Sequence, residues 1–448
     1  MRILHYSLGF PPYRRGGLTK YCIDIMTEQR KVGHDVAMLW PGDMGILLKK
    51  SPRIVKQKPY KVGNLSIENY ELQGCLPVPL LEGVSIPHEY TADLDIKPFI
   101  EFISSQKPEV VHFHTLMGIP QNYLQLLKDK GIKTVFTTHD YYGICPRTTL
   151  IRGKKNCNDF ACENCGKCNR DAASIEKIRI LQSSLYRNLK DTVIVKGLRK
   201  RHWKQNEMLV EKSDENFSNI RTSSREYVKL RKYYVTMLEL FDVVHFNSSN
   251  TQKIYCAYSD KINGEVLSIS HRDISDNRKK RVRHEICQFT YLGPDTYHKG
   301  FYLLIDVCDR LWSSGYKFNL NIYFRSDKER PYLEIHKPYS YGELGVIMGN
   351  TDYLVVPSLW NETYGFTVAE AMSYGIPAIV STTVGAKDEI ETEVNGIITE
   401  ATLASLYNIF INVIEDPSLF QKYNTNICEN YIPRTISTHC QNLLALYN

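Results

Sequence analysis

Short apolar runs of strand length alternate with helix-length segments at both ends of this chain, the pattern of parallel α/β sheets. In the first half Arg2–Leu8, Val36–Trp40, Val110–His114, Thr134–Thr138 and Asp242–Phe246 read as strands, with helices over Leu18–Val32 and Gln121–Asp129. In the second half the strands are Gln288–Leu292, Phe318–Phe324, Tyr353–Pro357 and Ala378–Ser381. A helix after Lys299 places Leu304, Val307, Cys308 and Leu311 on one face, as core packing requires. A chain of 448 residues is too long for one ordinary core, so two domains are expected. Both read as Rossmann-like, one over 1–262 and the other over 263–432. A last helix over 433–448 is expected to cross back onto the first.

Between Thr138 and Asp242 the alternation stops for about a hundred residues, more than a plain loop takes. This insertion, over residues 145–240, opens with cysteines and then turns helical. Ile178, Leu181, Leu185 and Leu189 recur at helical spacing, and so do Tyr227, Leu230, Tyr234 and Met237. It also holds the chain's charge: from Tyr186 to Lys232 there are 13 Lys and Arg against 6 Asp and Glu, a surplus equal to the net +7 of the whole sequence. One reading is a solvated helical face. The other is an anionic partner, and an anionic membrane surface suits it better than nucleic acid, since no nucleic-acid-binding motif accompanies the charge. The N-terminus lacks the apolar stretch of a cleavable leader, and no run is long and apolar enough to span a membrane. A cytoplasmic protein, docked at most on the inner membrane face, is expected.

In a reducing compartment, clustered cysteines point to metal or packing before disulfides. Cys157, Cys162, Cys165 and Cys168, with Cys145 upstream, contain two consecutive Cys-x-x-Cys steps that suggest zinc or iron–sulfur ligation. Buried thiols or a disulfide form the alternative, because the leading spacing fits no single metal pattern closely.

The chemistry concentrates in the stretch from Val355 to Pro377. A hydrophobic strand ends at Pro357, a loop carries Glu362, and a helix begins around Gly365, Phe366 and Thr367. Free backbone N–H groups at the C-terminal edge of a parallel strand suit a phosphate. Glu370, about one turn inside that helix, can reach past the phosphates to a ribose hydroxyl pair, and Glu362 can meet the sugar side of the same ligand. Gly375 and Pro377 then stop the helix.

Two glutamates eight positions apart, with Gly-Phe between them and Glu-Ala-Met following, resemble the signature of the family 4 retaining glycosyltransferases of the GT-B fold. Further segments are similar to that family in the same order. Gly293 with His298-Lys299-Gly300 resembles its phosphate-gripping segment, Gly16-Gly17 its glycine-rich loop, His139-Asp140 its active-site histidine, and Val384-Gly385-Ala386 with Glu389 its Gly-Gly…Glu loop. The family's arginine is missing, because Pro294 follows Gly293; Arg272 and Arg325 are the candidates to replace it.

The resemblance implies an α/β GT-B enzyme that moves a sugar from a nucleotide diphospho-sugar to a glycan or lipid-linked acceptor with retention of configuration, in cell-surface polysaccharide synthesis. It implies sugar-orienting roles for His139 and Glu362, a leaving-group role for Lys299, and donor contacts at Gly16, Gly17, Gly365, Phe366, Thr367, Glu370, Arg325 and Tyr341. No cofactor is required for the chemistry, and zinc, if bound at the cysteines, is structural. Rival readings are a GT-B sugar-nucleotide epimerase and a non-catalytic protein that keeps the fold. A dinucleotide dehydrogenase is disfavoured, since Gly-x-Gly-x-x-Gly is absent after the first strand.

Overall fold

The computed structural model describes residues 1–79, 83–192 and 223–448, together with 195 and 197. Two sheets dominate it. The first has eight strands in the spatial order Gly264–Val266, Val243–Phe246, Lys133–Thr137, Val110–Phe113, Arg2–Tyr6, Asp35–Pro41, Leu65–Gln73 and Arg53–Val62. All neighbours are parallel except the last pair, an antiparallel hairpin at the edge. The second has six parallel strands: Leu333–Ile335, Phe318–Ile322, Cys287–Tyr291, Tyr353–Val356, Ala378–Ser381 and Ile397–Thr399. Numbered along the chain, this order is 3-2-1-4-5-6, that of a doubly wound dinucleotide-binding sheet.

All nine strands read from the sequence form, because a parallel strand covered on both faces needs a nearly unbroken apolar run. The edge hairpin was not foreseen. Its outer strand Arg53–Val62 interleaves Lys56, Lys58, Pro59 and Lys61 with half-buried residues, a composition that blunts a sheet edge and masks the apolar face. The first sheet also takes in Gly264–Val266, so the crossing between sheets falls after Val266 and not at 262.

One apolar cluster joins the two halves. Ile3, Tyr21 and Ile25 of the first pack with Leu354, Val368 and Met372 of the second, and with Ile436 and Leu443 of the last helix, Ile436–Ala445. That helix lies on the helix Gly17–Lys31, where Tyr21 Oη meets His439 Nε2 at 2.8 Å and Gln29 Nε2 donates to Tyr447 Oη at 3.1 Å.

The insertion is helical where it is described. Tyr227, Leu230, Tyr234 and Met237 line the buried face of Ser224–Leu240. The other spaced set does not form one helix. Ser183 ends Ile175–Gln182 and caps Ser184–Leu189 through its hydroxyl, which leaves Leu185 and Leu189 exposed and only Ile178 fully buried. The most basic part, 198–222, lies outside the described residues. Two of its flanking cations turn inward: Arg187 pairs with Glu71 at 2.6 Å, and Lys190 binds the carbonyls of Pro12 and Tyr13.

The expected metal cluster is not assembled. Among the described residues, the cysteine sulfurs nowhere gather three or more within ligand distance of one another, and all twelve thiols are free. Cys162 and Cys165 are buried in the first core, whereas Cys157 and Cys168 are half-buried. The loop takes its order from an arginine. The buried guanidinium of Arg231 donates to the carbonyls of Ile144, Asp159 and Phe160 at 2.8–2.9 Å, and its Nη2 lies 3.9 Å from Cys165 Sγ. A charge-assisted donor thus satisfies three carbonyls of the loop at once.

Candidate functional site

In a sheet of order 3-2-1-4-5-6 the crevice opens beyond the carboxyl ends of strands 1 and 4, where successive connections leave to opposite sides. Here those strands are Cys287–Tyr291 and Tyr353–Val356. A cleft of about 220 Å³ lies at that point, open on one side. Leu292, Gly293 and Pro294 form one wall, Ser358, Glu362, Gly365, Phe366, Thr367 and Glu370 the other, and Lys299, Tyr339 and Tyr341 complete it.

Glycines set the local geometry. Gly300 has φ +78°, and a Cβ there would stand 1.9 Å from the Pro357 carbonyl oxygen. Only glycine lets the turn Tyr297–Lys299 press against the end of Tyr353–Val356, and that contact brings Lys299 to the cleft. Gly365, with φ +108°, starts the helix Phe366–Met372, which puts Glu370 inside the protein.

Lys299 Nζ lies 3.0 Å from Glu362 Oε1 and 5.0 Å from the centre of the Trp360 ring. The Ser358 hydroxyl donates to the same Glu362 oxygen. Glu362 is therefore held at two points, and its backbone N–H donates to Thr383 O at 3.0 Å. Glu370 is 2 % exposed, and its Oε1 accepts from His271 Nε2 at 2.8 Å. His271 Nδ1 in turn accepts from the Asp273 N–H, which fixes the proton on Nε2.

The first sheet meets the rim of this cleft at its own strand ends. Thr363, next to Glu362, donates through its hydroxyl to the His139 carbonyl at 3.1 Å, and its own carbonyl accepts from Ser248 Oγ at 2.7 Å. A Cβ on Gly385 would lie 2.2 Å from that Thr363 carbonyl, so the loop after Ala378–Ser381 closes on the junction only as glycine. Lys20 Nζ sits 4.7 Å from the Tyr341 ring centre while paired with Asp24 and Asp273.

The structure thus brings Lys299, Glu362, Gly365, Phe366, Thr367, Glu370 and Tyr341 into one cleft. It does not bring Gly16, Gly17, His139 or Arg325 into the lining. Gly16, with φ +116°, precedes the helix Gly17–Lys31 with open space beside both glycines. His139 meets the cleft rim through its backbone, and burial of its imidazole pushes the pKa down to about 3, so the ring is neutral. Its neighbour Asp140 is shifted the other way, up to about 6, also by burial. Arg325 is exposed, Arg272 is turned to Asp24 and Asp273, and neither lines the cleft. Lys299 is the one cation among the described residues that line the cleft. His271, Ser358 and Trp360 escaped the sequence reading. His271 stands in an irregular crossing segment after Val266, where no periodicity marks a buried residue.

Fold and site together define a glycosyltransferase of the GT-B class. The description "Glycosyl transferases group 1" matches residues 273–430, and "Glycosyltransferase Family 4" matches residues 15–156. The chain is a family 4-like glycosyltransferase. Its fold is shared by sucrose-phosphate synthase from Thermosynechococcus elongatus, at TM-score 0.56 and 13% identity over 100% of this chain and 98% of that one. An α,α-trehalose-phosphate synthase (UDP-forming) from Burkholderia xenovorans, solved with glucose-6-phosphate, gives 0.57 and 12% over 100% of both chains. Anabaena HepE in complex with UDP gives 0.53 and 13% over 99% of both. No curated protein matches the sequence.

Proposed function

We propose that the enzyme moves a sugar from a nucleotide diphospho-sugar, bound in the cleft beyond Cys287–Tyr291 and Tyr353–Val356, to a glycan or lipid-linked acceptor. The observation that carries this reading is the placement of a lone cation, Lys299, between Glu362 and an open crevice whose far end holds the buried Glu370. A diphosphate entering the crevice exchanges with Glu362 as the partner of Lys299, joined by the amides of Phe366 and Thr367. Glu370 exchanges its His271 hydrogen bond for the ribose hydroxyls, and Tyr339 and Tyr341 flank the base. Glu362, released from Lys299 and still held by Ser358, turns to the sugar, with His139 on its opposite side.

Charge developing on the leaving diphosphate is stabilised by Lys299 and backbone amides, with no group placed as a covalent nucleophile. Retention of configuration follows if the acceptor attacks from the face the leaving group departs. In this scheme the first domain, 1–262 with its short extension to Val266, receives the acceptor, and the second, 263–432, holds the donor. The relative solved with UDP supports a nucleotide-sugar donor, and the one solved with glucose-6-phosphate supports a sugar-containing acceptor.

A role in cell-surface polysaccharide synthesis fits a lipid-linked acceptor and the basic stretch of the insertion. Among the described residues no helix is long and apolar enough to cross a membrane. Attachment to an anionic surface through the basic stretch is part of the proposal, and added salt or charge reversal at Lys196, Arg199, Lys200 and Arg201 should release the protein from anionic vesicles. The functional test is transfer from a panel of nucleotide diphospho-sugars to lipid-linked oligosaccharides, with the product anomer read by NMR. Transfer with the donor's configuration supports the reading. Donor conversion to an epimer without acceptor would replace it with isomerisation.

A further inference from the structure

Behind the cleft the first sheet contains an unusual core. His5, His112 and His245 occupy buried strand positions, and His114 follows a strand end; none is more than 1 % exposed. A buried imidazole without partners is costly, and these are linked into a single hydrogen-bonded chain. It starts at a backbone carbonyl and ends at His139. Leu267 O lies 2.6 Å from His245 Nε2, and His245 Nδ1 lies 2.8 Å from Thr137 Oγ1. Thr137 Oγ1 is 2.7 Å from His112 Nε2, and His112 Nδ1 is 2.7 Å from Tyr447 Oη. Tyr447 Oη meets Gln29 Nε2 at 3.1 Å, and Gln29 Oε1 meets His5 Nε2 at 2.7 Å. His5 Nδ1 is 2.9 Å from His114 Nε2, and His114 Nδ1 is 3.2 Å from His139 Nε2.

The direction of every link follows from the first. A carbonyl only accepts, so His245 carries its proton on Nε2 and leaves Nδ1 bare. Thr137 must then donate its one hydroxyl hydrogen to His245, and accept from His112 Nε2–H. The bare His112 Nδ1 requires the Tyr447 hydroxyl hydrogen, so Tyr447 accepts from Gln29. This fixes the Gln29 amide independently of how its oxygen and nitrogen are assigned, and turns its oxygen to His5 Nε2–H. His5 Nδ1 then accepts from His114 Nε2–H, and His114 Nδ1 accepts from His139 Nε2–H. Neutral rings are required throughout, and burial lowers the pKa of His5 and His245 to about 4 and those of His112 and His114 well below the ordinary value.

We propose that the Leu267 carbonyl, through Thr137, Tyr447 and Gln29, locks His139 in the Nε2–H tautomer, so that its Nδ1 stands as a bare acceptor. No described residue hydrogen-bonds that nitrogen. Resting on the reading that His139 faces the sugar, the consequence is a selection rule. The group placed against His139 has to donate a hydrogen, as a sugar hydroxyl does, and a carboxylate there finds no donor. Tyr447, from the segment after the last helix, and Gln29, from the first, are positioning residues; they bind the two ends of the chain into one site.

His5, His112 and His114 also form the only group of three metal-capable side chains among the described residues. Their nitrogens are already committed. His5 Nδ1 and His114 Nε2 share one hydrogen between rings 9° from parallel, and both nitrogens of His112 are hydrogen-bonded.

The test is a long-range ¹H–¹⁵N spectrum of the full-length protein labelled in histidine, which distinguishes Nδ1–H from Nε2–H rings with or without activity. The expected result is a single Nε2–H form for His139, His114, His5, His112 and His245. Tyr447→Phe removes the link to the Leu267 anchor, so His139, His114 and His5 should become mixtures of tautomers, with turnover down about tenfold, the scale of one lost hydrogen bond. An Nδ1–H or metal-bound His139 in the unmodified protein would overturn the proposal. So would a folded Tyr447→Phe protein whose tautomers are unchanged. Because the spectrum needs no substrate, its failure is separate from failure of the glycosyltransferase reaction scheme.

Discussion

Lowering the pH should unfold this protein well before ordinary carboxylates titrate. His5, His112, His114, His245 and His439 are fully buried and held neutral: burial pushes the pKa of His5 and His245 down to about 4 and holds those of His112, His114 and His439 well below the ordinary value. In the unfolded chain each returns to the ordinary value of 6.5. Below that pH the unfolded state binds protons that the folded state refuses, so stability falls as pH falls. At pH 5 His5, His245 and His139, the last with a folded pKa of about 3, each contribute about 2 kcal/mol to the loss, together about 6 kcal/mol against about 0.5 kcal/mol at pH 7, and His112, His114 and His439 add to it in the same direction. Asp140 acts in the opposite sense. Its folded pKa of about 6 lies above the unfolded 3.8, so the folded state gains a proton first and recovers about 1.3 kcal/mol by pH 5. The net loss from pH 7 to pH 5 is at least about 4 kcal/mol, a large share of the stability of an ordinary domain. Urea unfolding followed by far-UV circular dichroism at half-unit steps would measure it. A loss below about 2 kcal/mol over that range would refute the argument and mean that the histidines titrate in the native state.

Three other outcomes are expected. Gly300→Ala should cost at least about 1–2 kcal/mol from its left-handed backbone alone, and more from the clash with Pro357, as read by urea midpoint. Lys299→Ala should lower kcat by about 10²–10³ with an unchanged far-UV spectrum, the scale of losing one preorganised charge at a leaving group, and steady-state kinetics would show it. Arg231→Met should make the loop around Asp159–Cys165 sensitive to limited proteolysis, whereas chelators should leave the unmodified protein's digestion pattern unchanged.

What the sequence exposed and what it hid divide along physical lines. Parallel strands such as Val110–Phe113 and Tyr353–Val356 declare themselves because burial on both faces demands continuous apolar residues. The hairpin Arg53–Gln73 does not, since an edge needs lysines and tolerates proline, and those residues read as loop. Glu362 and Glu370 could be placed at one cleft from the sequence because short-range chain geometry puts them at a strand end and a helix start, whereas Lys299 was marked by the family resemblance of its Lys-Gly step. The partner of Glu370 was not: His271 comes from 99 residues away. The histidine chain is hidden for the same reason, as Gln29 and Tyr447 are 418 positions apart and meet only after the last helix docks. Arg231, which binds the carbonyls of the cysteine-bearing loop, was equally hidden, because it lies some 66–87 positions away from the groups it meets.

The claim on which the account rests is that the cleft between Lys299 and Glu370 holds the nucleotide part of the donor. Isothermal titration of the full-length protein with uridine, adenosine, guanosine and thymidine diphosphates, repeated for Glu370→Ala, tests it most directly. At least one diphosphate should bind the unmodified protein, and its affinity should weaken by about 1–3 kcal/mol in the variant, the scale of charge-assisted hydrogen bonds to a ribose. A nucleoside diphosphate that binds both proteins equally would place the donor elsewhere and contradict the account.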